Sequence, residues 1–122
     1  MDTKQILEHV LGIADEFKGQ DILALEVTHL CSFTDYFVLV TGSSRLNIQA
    51  MAEEMIVRSK HEGRPPLHVE GLTQGEWVLI DFGDVVVHLF TDAHRTHFDL
   101  ENLWADAKKI HHQARPESVD PV

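Results

Sequence analysis

The chain has a single cysteine, Cys31, among its 122 residues. This excludes an internal disulfide and any site built from several cysteines, and it suits a reducing compartment. Basic residues are also scarce. Ten lysines and arginines face twenty aspartates and glutamates, a formal net charge of −10 with histidine neutral. Such a surface repels phosphate backbones, and no segregated basic patch offsets it, so direct nucleic-acid readout is not expected. A basic protein partner would be attracted instead. Apolar runs are short, and none approaches the roughly 20 residues a membrane helix needs. The polar start, Met1-Asp2-Thr3-Lys4-Gln5, has the features of neither a secretory signal nor an arginine-rich transit peptide, which points to a cytoplasmic protein. The four prolines (Pro65, Pro66, Pro116, Pro121) all fall outside the predicted regular elements.

What is present is ordinary for one globular domain with a substantial core: 43% hydrophobic and 25% charged residues. The organising stretch is Gly75–Phe90, GEWVLIDFGDVVVHLF, which reads as two strands joined at Gly83-Asp84. That turn pairs Phe82 with Val85, Ile80 with Val87 and Val78 with Leu89. On the other face it pairs Asp81 with Val86, Leu79 with His88 and Trp77 with Phe90. One face is purely apolar and reads as core. The other sets large aromatics among ionisable groups, the composition of a contact surface or of a face under a helix.

Ahead of the hairpin, Ile6, Leu7, Val10, Leu11, Ala14 and Phe17 recur at helical spacing, with Gly19 placed as a left-handed cap. Asp21–Val27 reads as a strand, and Tyr36–Thr41 as a central strand covered on both faces. Either Ser43 or Ser44 can cap a second helix bearing Ile48, Met51, Ala52, Met55, Ile56 and Ser59, which Gly63 and Pro65-Pro66 stop. A short strand at Leu67–Glu70 should run parallel to that at Tyr36. A third helix is expected from about Asp92 to Trp104, with Leu100, Leu103, Trp104 and Ala107 on one stripe. Residues 1–107 form the expected domain, and the polar residues 108–122 a disordered tail. The fold class is α/β, in the order α-β-β-α-β-β-β-α, with a mixed sheet of about five strands.

Three blocks carry a family resemblance. They are Thr34-Asp35-Tyr36-Phe37-Val38 leading to Thr41-Gly42-Ser43-Ser44-Arg45, then Pro66–Gly71, then Gly75–Phe90 with Phe98–Trp104. Over about residues 5 to 104 the chain resembles the ribosomal silencing factor family, also called Iojap or DUF143. The resemblance implies a nucleotidyltransferase-like fold without that catalysis. It also implies a bacterial or organellar protein, the polar start favouring the bacterial form, that binds the large ribosomal subunit through its fourteenth protein at the intersubunit face, obstructs joining of the small subunit and represses translation when nutrients are short. A homodimer, paired through an exposed strand edge, also fits.

The expected partner surface is the mixed hairpin face and its acidic border: His68, Glu70, Trp77, Asp81, His88, Phe90 and Glu101. Trp77 has two readings here, an exposed anchor or a core residue under the third helix. The alternative function is a nucleotide-binding enzyme using Gly42-Ser43 before a helix. It would need two metal-binding carboxylates two residues apart on a nearby strand, and the chain has only Asp81 and Asp84 about the turn and an isolated Asp35. His94-x-x-His97 could present two imidazoles on one helical face, but spacing fixes no third ligand. No catalytic residue, cofactor or metal is expected.

Overall fold

The computed structural model describes residues 1–98 and 106–113. Helix α1 spans Thr3–Glu16 and opens on a reciprocal cap. The Asp2 carboxylate accepts from the Gln5 amide at 2.8 Å, while the Gln5 side chain accepts from the Asp2 amide at 2.9 Å. At its far end the left-handed residue is Lys18, with φ of 59°, and Gly19 is not in that region, contrary to expectation. Gly19 is needed for proximity instead: a Cβ there would lie 2.6 Å from the Val40 side chain. Strands β1 (Gln20–Glu26) and β2 (Tyr36–Thr41) form an antiparallel pair. Helix α2 (Arg45–His61) starts on Ser44, whose hydroxyl accepts from the Asn47 amide at 3.0 Å, and stops before Gly63, with φ of 77°.

Strand β3 (His68–Glu70) and the hairpin strands β4 (Trp77–Asp81) and β5 (Val85–Phe90) follow. The hairpin register is the expected one, from Trp77 opposite Phe90 to Asp81 opposite Val86, and Gly83 takes φ of 94° at the turn. Helix α3 covers Asp92–Phe98; its expected continuation to Trp104 falls outside the described residues. Lys108–Gln113 form strand β6, antiparallel to β1, so this part of the expected disordered tail is ordered and the sheet has six strands rather than five. The edge of β1 that β2 leaves unpaired offers β6 its backbone partners, and hydrogen bonding there does not require an apolar sequence.

The sheet order is β3-β4-β5-β2-β1-β6, antiparallel except for the parallel β2–β5 pair. Strand β3 does run parallel to β2, but with two strands between them, because the β4–β5 hairpin occupies the gap that the α2 crossover leaves. Both long helices pack on one face, against Ile22, Ala24, Val38, Val40, Val78, Ile80, Val87 and Leu89. The opposite face carries Leu23, Leu25, Val27, Phe37, Leu39, Val86 and Phe90, with Trp77 and Leu79 partly buried beside them. Arg64, just past α2, ties the hairpin turn to the start of the chain. Its guanidinium donates to the Met1 and Phe82 carbonyls and to the Asp84 carboxylate, which also accepts from the Thr3 hydroxyl.

Candidate protein-contact face

The mixed face is assembled from three neighbouring strands. Cross-strand register puts His68 beside Asp81 and Glu70 beside Leu79 on β3 and β4, and Leu79 beside His88 on β4 and β5. His68 and Glu70 are exposed, and their side chains meet at 2.5 Å. Trp77 is half-buried. Its indole N–H donates to His88 Nδ1 at 3.1 Å, and its rings lie 5.9 Å from His88 and 6.1 Å from Phe90. A cavity of about 210 Å³ opens beside it, lined by Glu70, Gly71, Trp77 and Leu79. Gly71 permits this approach: its φ is 81°, and a Cβ there would sit 2.0 Å from the Trp77 carbonyl oxygen.

Two of the expected contact residues lie beneath the surface. Phe90 is fully buried, with the Arg95 guanidinium 5.6 Å above its ring. Arg95 is itself anchored, donating to the Asp21 carbonyl at 2.8 Å and the Thr41 hydroxyl at 3.0 Å. His88 is 8% exposed, and burial pushes its pKa down to about 4, so at neutral pH the ring is uncharged and Nδ1 is free to accept from Trp77. Strand alternation assigned both residues to the correct face, but it carries no information on what covers them. They hold the Trp77 indole from below. Asp81 is half-buried and its carboxylate accepts from the Gly83 amide at 2.7 Å, so it braces the turn as well as bordering the face. Glu101 lies outside the described residues.

The face also extends where no site was expected. Phe33, in the loop between β1 and β2, is 67% exposed and its ring stands 6.3 Å from Phe37; Phe37 in turn stands 5.7 Å from His88. A row of rings therefore runs from an exposed loop residue, through two buried ones, to Trp77. The available signal was a lone aromatic inside the polar stretch Thr28–Thr34.

The groups considered for nucleotide chemistry have other work. Ser44 caps α2, Asn47 Oδ1 accepts from the Ser43 amide, Asp81 braces the turn, and Asp84 is held by Arg64 and Thr3. Among the described residues no cluster of three or more histidines, cysteines and acids could hold a metal ion, and no helix is long and apolar enough to cross a membrane. His94 Nδ1 lies 3.0 Å from the Thr91 hydroxyl.

A family model described as ribosomal silencing factor during starvation matches residues 1–121. The chain belongs to this family. It is similar to the ribosomal silencing factor RsfS of Bacillus subtilis, 37% identical over 107 residues that cover 88% of this chain and 91% of that protein. A Chromobacterium violaceum protein of known crystal structure superimposes with a TM-score of 0.83 at 32% identity, covering 97% of this chain and 98% of that one. A mouse protein named for mitochondrial assembly of the ribosomal large subunit is 29% identical over 80% of this chain and 44% of its own length. As a silencing-factor family member, the chain presents an acidic, aromatic sheet face opposite its two long helices.

Proposed function

We propose that this protein is a cytoplasmic translation repressor that binds the large ribosomal subunit and keeps the small subunit from joining. The partner is the subunit's fourteenth protein, met at the intersubunit side, and the action is steric exclusion without catalysis. The observation that carries the reading is Trp77. It is a half-exposed tryptophan fixed by a buried histidine, beside a small cavity lined by Glu70, with Asp81 further along the same strand face. Tryptophan is prominent among binding hot spots because it removes a large area from water at little entropic cost. The acidic rim supplies attraction and register toward a basic ribosomal protein. His68, Glu70, Trp77 and Asp81 make the contact, and His88 and Phe90 hold it from beneath. The exposed edge of β3 gives two copies a route to a homodimer that would compete for the same face.

Trp77→Ala tests the reading by co-sedimentation with purified large subunits and by light scattering of subunit joining. Truncating a fully buried tryptophan costs about 3–5 kcal/mol, and a half-buried one less, so the variant should stay folded at 25 °C. Its affinity should fall at least about tenfold. A folded variant that still keeps subunits apart as wild type does would refute the assignment.

A further inference from the structure

The β1–β2 loop holds features the hairpin contact leaves unused. Between this loop and the hairpin turn lies a groove of about 460 Å³, lined by Thr28, Cys31, Ser32, Phe33, Thr34, Asp35, Gly83 and Asp84. Its outer wall is the exposed Phe33 ring, with Leu30, 46% exposed, on the same loop. Thr34 is 5% exposed and its hydroxyl is buried without a hydrogen-bond partner. The Asp35 carboxylate makes no hydrogen bond or ion pair among the described residues, whereas Asp84 across the groove is neutralised by Arg64. The local field is negative: the Tyr36 hydroxyl is held above the ordinary tyrosine range by burial and then by the carboxylates of Glu26 and Asp35.

We propose that this groove receives an arginine or lysine side chain of the partner that docks on Trp77, giving the interface a second anchor. The inference rests on the hairpin-face reading above. An aromatic wall and an unpaired carboxylate together suit a cation with an apolar stem. A guanidinium fits best, since it can lie on a ring while donating to both oxygens of the Asp35 carboxylate. The two anchors are physically continuous. The Phe33 ring meets Phe37, Phe37 meets His88, and His88 holds Trp77, so one rigid row of rings spaces them. A partner with a single basic projection beside an apolar cleft could engage only one end. Two ends on one face demand a partner with its cation and its cleft at a matching separation, a selectivity that net charge alone cannot provide.

The test measures binding of Phe33→Ser, Asp35→Asn, Phe33→Tyr and Trp77→Ala proteins to purified large subunits, with a melting temperature for each. Phe33→Ser and Asp35→Asn should each weaken binding at least about fivefold, and Asp35→Asn should also flatten its salt dependence. Phe33→Tyr, which keeps the ring, should stay within about twofold. All three loop variants should melt within about 3 °C of wild type, because the altered groups are exposed or unpaired. If Phe33→Ser lowers the melting temperature further, Asp35→Asn, which removes no packing, decides. Wild-type affinity in both loop variants alongside lost binding in Trp77→Ala would overturn the second anchor and leave the hairpin reading standing. The reverse pattern would keep the groove as a contact and overturn the hairpin reading. Failure of the wild type to bind would overturn both.

Discussion

Acidification should loosen this protein through one buried histidine. His88 is uncharged in the fold and accepts the Trp77 indole proton through Nδ1, so protonating it would place a charge under the sheet face and abolish that hydrogen bond. Its ordinary value of 6.5 applies to the unfolded chain, against about 4 in the fold, a difference caused by burial. Between those values the unfolded chain binds the proton and the folded one does not, so stability rises with pH across the window. The contribution is complete above about pH 6.5 and is lost as pH falls toward about 4. From about pH 7.5 to about pH 5 the loss from this group alone comes to about 2 kcal/mol. In urea that is a midpoint shift of roughly 1–2 M for a small domain. Other histidines and carboxylates titrate too, so the comparison is with His88→Asn, which retains an acceptor but no titrating ring. Equilibrium urea unfolding of both proteins across this range should show wild type losing about 2 kcal/mol more. Parallel pH profiles, or a His88 ring titrating near its ordinary value by NMR, would show that burial does not hold it neutral.

Two further outcomes follow from the backbone. Gly71→Ala should destabilise the fold by at least roughly 2 kcal/mol, because the left-handed φ and the collision with the Trp77 carbonyl are both backbone problems that no rotamer relieves; an unchanged unfolding midpoint would contradict this. Deleting residues 108–122 should lower the melting temperature and promote self-association on size exclusion, because β1 would become an open edge.

The hairpin was legible down to its register because a glycine-led turn pinned the pairing and strict alternation separated an apolar face from a mixed one. The amphipathic stripes of α1 and most of the buried row of α2 were legible for the same reason. Strand β6 was not: KKIHHQ has one apolar residue, Ile110, and it is a strand because β1 presents unpaired backbone groups to it. The burial of Phe90 was hidden as well, since it depends on Arg95 arriving from the next element and being anchored to Asp21 and Thr41, far away in sequence. Phe33 was passed over because its surroundings read as a turn, and only its contact with Phe37 joins it to the site.

The parallel seam between β2 and β5 has a kinetic consequence. Tyr36 aligns with Val85 and Thr41 with Phe90, so the centre of the sheet joins segments with all of α2, β3 and β4 between them. The β1–β2 pair and the β4–β5 hairpin can each form locally and early, but the seam must wait for a long loop to close. The row of rings crosses that seam, with Phe37 on one side and His88 and Trp77 on the other. The hairpin can bring Trp77 and His88 together early, but Phe37 and Phe33 join them only across the seam. The row of rings is therefore complete only once the seam has closed, so the pairing that forms last in the sheet also sets when all four rings share one face.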